Sequence, residues 1–385
     1  MESATLMSNP LRDVTLLALK LGFTAFGGPA AHIAMLRHDV VDRFGWLSNQ
    51  RFLDLLGVTN LIPGPNSTEM VMHIGRERAG WRGLVAAGAA FIVPAASITL
   101  LLAWLYVRYG TTTEGLSMMD GIKPVVLAVI LQAVWGLGRT IATSPVLVGV
   151  GILVAILYML GVNELLLLFG GAAMAVIGTR LRRAPASLYA LALPGFGGSL
   201  PLALTAAGTA ASYSGWQLFL SFLKIGSVLY GSGYVLIAFL ESEFVDRLGW
   251  ITHQQLLDAV AVGQFTPGPV FTTATFVGYL AGGWWGAILA TIGIFLPAFV
   301  FVAVAHSLID RLLALAWVRP VLDGFNAAAI GLILGVAVVL AGDAISGPWT
   351  ALLAVSALAL LIRFKVNSAL LIVAGGALGL AASGL

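Results

Sequence analysis

Two lysines stand inside otherwise apolar segments of this 385-residue chain, Lys20 and Lys224, and each is followed at the same spacing by a Pro-Gly-Pro. The chemistry these residues offer is anion binding. An ammonium inside a bilayer costs about 2.5 to 3.5 kcal/mol on insertion scales, more than an idle side chain would be expected to sustain twice. Lys20 lies eight residues past Arg12 and Lys224 eight past Trp216, so each is expected roughly 12 Å along its helix, close to mid-bilayer. Snorkelling to the headgroups is the plain alternative for either one alone. Two equivalent lysines in repeats that face opposite ways would instead approach one cavity from both sides. Gly27 and Gly231 follow at i+7 on the same helical faces and leave room beside the charge. The expectation is a small, positively charged pocket.

The Pro-Gly-Pro segments supply a second kind of positive potential. They read Pro63-Gly64-Pro65-Asn66-Ser67-Thr68 and Pro267-Gly268-Pro269-Val270-Phe271-Thr272-Thr273. Pro65 and Pro269 suit the first turn of a helix and the preceding glycine permits a sharp break, so a half-helix is expected to begin at each. Its first N–H groups lack intrahelical partners and carry the positive end of the helix dipole, an arrangement that receives anions. Hydroxyls of Ser67, Thr68, Thr272 and Thr273 would add donors. A plain proline kink is the competing reading, since neighbouring helices re-satisfy such breaks; the duplication favours function.

A third matched pair, Asp42-Arg43-Phe44-Gly45-Trp46 and Asp246-Arg247-Leu248-Gly249-Trp250, reads as a headgroup-level turn. Asp42, Arg43, Trp46, Asp246, Arg247 and Trp250 are therefore assigned to scaffold or gate, and Thr252 with Gln255 to a capping box. Asp54 and Asp258 are expected to satisfy local backbone or arginine partners. Residues present in one copy only break the symmetry. Glu69 and His73 follow the first Pro-Gly-Pro where the second copy has Thr273 and Val277, and His32 and His306 are also embedded. Each histidine alone reads as a hydrogen-bonded interior residue; as carriers of protons the candidates are Glu69 first, then His32 and His73.

The elements that must position these residues are transmembrane helices. With 59% hydrophobic and 10% charged residues and a mean hydropathy of +0.98, the chain cannot present a water-soluble surface. Apolar runs long enough to span the hydrocarbon as helices recur throughout, and no alternating pattern suggests a barrel. The fold class is an all-α polytopic membrane protein. The absence of cysteine excludes disulfides and thiolate chemistry, and the basic residues are scattered among short loops, which argues against nucleic acid. The first apolar segment carries Lys20 and no A-x-A-like site, which argues against a removed signal peptide.

Residues 20–68 match 224–272 without a gap, with roughly two positions in five identical, so the chain is a duplicated unit. The repeats are placed at 1–185 and 212–385, joined by a connecting membrane segment at 186–211. Spans are expected near 13–36, 52–74, 83–107, 122–142, 145–161 and 164–180, and again near 216–240, 254–279, 284–306, 320–341, 346–362 and 367–384. The proline-broken stretch 186–206 is left over. With the N-terminus inside, Arg76, Arg78, Arg82, Arg139, Arg180, Arg182 and Arg183 are cytoplasmic, with Arg37, Arg43 and Arg51 as exceptions to the positive-inside rule. Basic residues of the second copy, Arg247, Arg311, Arg319, Arg363 and Lys365, fall in the opposite phase. The expectation is two inverted repeats of six helices plus a connecting crossing, about thirteen transmembrane segments, with the C-terminus outside. Inverted repeats favour transport, with the site where interrupted helices meet near the midplane.

FGGP, DRFGW and PGPNST, repeated as YGSG, DRLGW and TPGPVFT, closely resemble the chromate ion transporter family in its long, two-domain form. The resemblance covers nearly the whole chain and implies chromate efflux across a bacterial inner membrane, with sulfate as the chemically similar anion and membrane lipid as the surroundings. The second copy departs from the pattern at Gly231-Ser232-Gly233, where the first has Gly27-Gly28-Pro29. No cofactor or metal is required, and a homodimer is compatible with this reading. Two rivals come from other classes. A membrane-embedded phospholipid or isoprenoid phosphatase would use Ser67, Glu69 and His73, but the second copy has none of them. An anion channel differs in gating alone.

Overall fold

The computed structural model describes residues 9–26, 28–183, 213–230, 233–308 and 318–382, and every regular element among them is helical. Helix α1 (Pro10–Thr24) starts where the Asn9 side chain accepts from the N–H groups of Leu11 and Arg12, with Pro10 in the first turn where no N–H is needed. It stops at Ala25, and α2 (Gly28–Arg37) follows, extended by a π-helical turn over His38–Arg43. One ion pair fixes the direction of that return. Lys20 Nζ lies 2.9 Å from Asp39 Oδ2, whereas 19 residues of straight helix would separate them by about 28 Å.

Helices α3 (Asn49–Thr59) and α4 (Asn66–Tyr109) double back in the same way around the Pro-Gly-Pro. Arg51 Nε donates to Glu77 Oε1 at 2.9 Å, and the Arg78 guanidinium lies 4.6 Å over the Trp46 ring. A straight run of those 26 residues would hold Arg51 and Glu77 about 39 Å apart. Helix α4 then turns again at Ala79 and Gly80, so that 81–109 runs back along 66–78. Gly80 has φ 60 and ψ −147, a region essentially reserved to glycine, and a side chain there would meet nothing within 4 Å. The requirement is conformational and not steric.

The second repeat copies this path. Helices α8 (Gly215–Val228) and α9 (Val235–Leu240), the latter with a π-helical turn over Glu241–Arg247, are held together by Lys224 Nζ and Glu243 Oε2 at 2.6 Å. Helix α10 (His253–Phe265) opens on the expected capping box of Thr252 and Gln255. A short 3-10 turn over Val270–Thr272 leads into α11 (Thr273–His306), which bends at Gly282 and Gly283 with the same geometry as its counterpart, φ 61 and ψ −148. Thr275 and Thr291 hydrogen-bond across its two arms at 2.8 Å. At the base, Tyr213 touches the Trp250 ring at 5.5 Å and also packs on Gly282.

Four segments expected to cross as single helices, 13–36, 52–74, 216–240 and 254–279, are therefore pairs of half-helices that return toward the end from which they set out. The window average that makes them look like spans runs straight over their Gly and Pro breaks. The other expected spans correspond to helices: the second arms of α4 and α11, then α5 (Thr113–Ile141), α6 (Pro145–Met159), α7 (Glu164–Arg183), α12 (Val318–Ala344), α13 (Pro348–Ala359) and α14 (Ser368–Ala382). Among the described residues, Asn66–Tyr109, Thr113–Ile141, Val270–His306 and Pro320–Ala344 are long and apolar enough to cross a membrane, and four shorter apolar helices accompany them. The chain is a multi-pass membrane protein. The connecting stretch 186–206 lies outside the described residues.

Helix α1 packs along α4, α8 along α11, and α4 against α11, while α12 packs on α5, α6 and α7. The contact of α1 with α4 is close because Gly22 has no side chain: a Cβ there would stand 2.8 Å from the Phe91 carbonyl oxygen. Gly226 meets Ile294 in the same way in the second repeat.

Candidate functional site

Pro65 is the N-terminal boundary residue of α4 and Pro269 that of the Val270–Thr272 turn, so a new helix begins directly after each Pro-Gly-Pro, as the proline geometry requires. Gly64 adopts φ 142 and Gly268 φ 86. Each of these glycines then makes a bond to the other repeat. The Gly64 N–H donates to the Leu229 carbonyl at 2.9 Å, and the Gly268 N–H donates to the Ala25 carbonyl at 2.9 Å. Ala25 and Leu229 are the residues at which the two lysine-bearing helices, α1 and α8, stop. The break in each hairpin is thus completed by the broken helix of the opposite copy.

Beside this junction lies a cavity of about 320 Å³. Pro65, Asn66 and Ser67 line it from one repeat, and Val270 and Phe271 from the other, together with Gly28, Pro29, Gly233, Tyr234 and Gln132 of α5. The backbone N–H groups of Asn66, Ser67, Val270 and Phe271 find no backbone acceptor among the described residues. Two helix starts therefore bring orphan donors to one concave space, with the positive ends of their dipoles. The polar side chains on its wall are neutral. Ser67 lines it, and Asn66 does so while its amide donates to Asn60 Oδ1 at 2.7 Å. Thr272 and Thr273 instead turn their hydroxyls onto the carbonyls of Pro269 and Val270 at 2.9 and 2.8 Å. Thr68 is fully buried, and its Oγ1 has no hydrogen-bond partner among the described residues. Gly27, Gly231 and Ser232 lie outside the described residues; their neighbours Gly28 and Gly233 line the cavity.

The lysines are engaged elsewhere. Lys20 and Lys224 are paired with Asp39 and Glu243 of their own repeats, and both side chains are substantially exposed, 49% and 39%. Arg43 reaches Asp39 at 3.7 Å, and Arg247 Nε donates to Glu243 at 3.1 Å, with Ser221 donating to the same carboxylate. Each repeat so holds a cluster of two cations on one buried acid, and the DRFGW-type turn is part of it. Asp42 pairs with Arg37 at 3.3 Å. Trp46 stacks on Phe44 at 4.9 Å, and Trp250 packs on Tyr213 and Phe244. These contacts are those of a scaffold. Sequence reasoning missed Asp39 and Glu243, although both follow their lysines at one spacing, the mark that singled out the lysines themselves.

Glu69 is fully enclosed, and neither of its oxygens has a hydrogen-bond partner among the described residues. It lies against Gly64, where a Cβ would collide with its carboxylate. One turn further on, His73 Nδ1 meets His306 Nδ1 at 3.0 Å, and His306 Nε2 lies 3.8 Å from Glu77. Glu69, His73 and Glu77 are spaced i, i+4, i+8 and share one helical face. His32 has a structural tie: its Nε2 lies 3.0 Å from the Ala25 carbonyl, the same oxygen that receives Gly268. Of the matched aspartates, Asp54 accepts from Gln50 at 2.9 Å, while Asp258 accepts from Tyr106 across the repeats at 2.7 Å. Gln132, also unforeseen, stands alone as a polar side chain in the run VVLAVILQAV.

Duplicated hairpins whose broken tips meet at a small cavity inside an apolar helical body are the construction of a membrane transporter. The chain belongs to the chromate transporter family, whose description, Chromate transporter, matches residues 12–178 and again 216–380. It is 32% identical over 378 residues to the Chromate transport protein of Cupriavidus metallidurans, covering 96% of this chain and 92% of that one. It is 35% identical over 325 residues to the Chromate transport protein of Pseudomonas aeruginosa, covering 82% and 77%. The Probable chromate transport protein of Synechococcus elongatus is 30% identical over 335 residues, covering 86% and 84%. No solved structure matches the chain. Membership of this family makes the protein a transporter and sets aside the phosphatase reading.

Proposed function

We propose that this protein exports chromate, or a tetrahedral dianion of the same size such as sulfate, from the cytoplasm across a bacterial inner membrane as a secondary transporter. The observation that carries this reading is the cavity between the two Pro-Gly-Pro tips, where two helix starts aim unpaired N–H groups at one space. Such donors bind an oxyanion without metal or cofactor. The substrate contacts are assigned to the side chains of Asn66 and Ser67 and to the backbone N–H groups of Asn66, Ser67, Val270 and Phe271, which the two Pro-Gly-Pro breaks position, with Gly28 and Gly233 allowing close approach. The lysine clusters steady the hairpins and add positive potential from outside the cavity.

The repeats are proposed to be inverted, with the N-terminus inside and the C-terminus outside. Cross-repeat contacts support this: His306, at the far end of α11, meets His73 and is close to Glu77 beside the base of the first repeat's hairpin. Tyr106, near the far end of α4, meets Asp258 of the second repeat's hairpin. If the four folded-back segments do not cross, the thirteen expected crossings become nine. The count remains odd, and Arg37, Arg43 and Arg51 join Arg76, Arg78 and Arg82 on the cytoplasmic side, which removes three exceptions to the positive-inside rule and leaves Arg247, at the base of the inverted hairpin, as one.

A dianion leaving a cell that is negative inside gains about 4.6 kcal/mol per 100 mV, twice the single-charge figure. Membrane potential alone drives export, and Glu69 is the candidate for adding inward proton exchange. The test is uptake into everted membrane vesicles with the potential clamped positive inside. Chromate accumulation, competed by sulfate, is expected; accumulation driven by a proton gradient at zero potential would mark coupled exchange, a flux that follows the potential alone would identify a channel, and no uptake of either oxyanion would refute the assignment.

A further inference from the structure

A second cavity, about 660 Å³, adjoins the first and shares with it Gln132, Gly136 and Tyr234. Its wall carries two cations, Arg139 at the end of α5 and Lys365 between α13 and α14, and no carboxylate. Neither cation has an ion-pair or hydrogen-bond partner among the described residues, in contrast with Lys20 and Lys224, which are both engaged. Phe26 lines this outer space and Gly28-Pro29 the inner one, so the break after α1 forms the threshold between them.

The backbone at Lys365 adds an independent observation. Lys365 is the one non-glycine residue with positive φ among the described residues, at φ 53 and ψ 36. A glycine would make this turn without strain, whereas lysine makes it against its own preference. Strained residues of this kind cluster where the side chain has work at a binding site.

We propose that Arg139 and Lys365 form an anion-capture vestibule that delivers oxyanions to the inner cavity. This rests on the transport reading above and supplies its entrance. Two unpaired cations on a concave wall with no acidic neighbour concentrate dianions and raise their rate of arrival. Both residues fall on the cytoplasmic side in the proposed topology: Arg139 follows the return of α5, and Lys365 follows α13 of the inverted repeat. The entrance of an exporter belongs there. From Lys365 and Arg139 the path runs past Gln132 and Tyr234 to the orphan N–H groups of Asn66 and Ser67, exchanging long-range charge for short-range hydrogen bonds along the way.

Trp135 lines the same vestibule, half-exposed. Chromate absorbs in the near ultraviolet, where tryptophan emits, so its arrival is readable as quenching in the full-length protein held in lipid nanodiscs. Chromate is expected to quench saturably, with sulfate competing, and Trp135→Phe is expected to remove a distinct part of the signal. Arg139→Gln with Lys365→Gln should weaken the apparent affinity about tenfold, since each half-exposed attraction is modest by itself. The difference should widen at low ionic strength, and Arg139→Lys should restore it. Lys365→Gly relieves the backbone while deleting the charge, so it should bind more weakly without losing thermal stability; this separates the vestibule from a folding defect.

Everted-vesicle transport is measured on the same variants, with a raised KM and a preserved maximal rate expected. Quenching that depends on Arg139 and Lys365 in a protein that transports neither oxyanion would sink the transport reading and leave the vestibule standing. Normal affinity, KM and salt dependence in the double variant would overturn the vestibule while transport stands. Absence of oxyanion-dependent quenching in the unaltered protein would also overturn it.

Discussion

Replacing Gly268 by alanine tests the cross-repeat junction most directly, because three separate costs meet at that position. Its φ of 86 is disfavoured for an L-residue by about 1 kcal/mol. The new methyl would stand 2.7 Å from the Ala95 Cβ, an overlap that forces a backbone shift costing about 1–3 kcal/mol. That shift pulls the N–H away from the Ala25 carbonyl, which forfeits a hydrogen bond worth about 1 kcal/mol. Together these come to about 3–5 kcal/mol concentrated on the junction, enough to shift an equilibrium there by more than about a hundredfold. Gly283→Ala is the matched control. It carries a similar φ of 61, yet its new methyl would meet nothing within 4 Å, so the conformational cost alone applies. Both variants are to be assayed for chromate uptake in everted vesicles, normalised to folded protein, and for thermal unfolding in detergent. Gly268→Ala should lose nearly all transport, while Gly283→Ala, at φ 61 and ψ −148, should lose about 1–3 kcal/mol of stability and keep its transport. Equal damage from the two, or a fully active Gly268→Ala, would refute the claim that the junction holds the site together.

Further predictions concern charge, protons and topology. Lys224→Gln leaves the buried Glu243 with Arg247 and Ser221 alone and should lower thermal stability, whereas Lys224→Gln combined with Glu243→Gln should recover part of the loss; a double variant worse than the single would contradict the pairing. Glu69→Gln should keep potential-driven chromate movement but abolish any added drive from a pH gradient, measured with the potential clamped; an unchanged response to the gradient would remove Glu69 from the proton path. Because the chain has no cysteine, a single Gln50→Cys can be labelled without background. It should react from the cytoplasmic face, where thirteen crossings would have placed it outside.

The repeat, the helical class, the helix start after each Pro-Gly-Pro and the capping box at Thr252 were all legible, because each depends on residues adjacent in the chain. The folded-back hairpins were not. Hydropathy integrates over a window and does not register that Gly64 or Gly268 reverses the direction of travel; the reversal becomes visible only when Arg51 meets Glu77, 26 residues on. The lysines were legible for a sound reason, the cost of a charge in a bilayer, but their destination depended on Asp39 and Glu243, which stand among other polar residues near the Asp-Arg pair and carry no local mark of the lysine 19 residues before them. Gln132 reaches the cavity wall from outside the matched block, and Tyr234 stands within it opposite Ala30; a search for paired features passes over residues that have no like counterpart.

The reciprocal bonds between Gly64 and Leu229 and between Gly268 and Ala25 bear on how the molecule is made. While the first half alone has left the ribosome, the Gly64 N–H lacks its mate and the Ala25 carbonyl has the His32 ring alone, and an unpaired group of this kind costs several kcal/mol in hydrocarbon. Those groups must wait, wetted or chaperoned, until the sequel is threaded in and completes both bonds together. With the repeats inverted as proposed, an ancestral half lacking a fused sibling would have needed a twin inserted upside down beside it, so one polypeptide would have had to enter the membrane in both senses. Fusion removed that ambiguity and, once each half could drift alone, left room for Glu69 and His73 to arise on one side only.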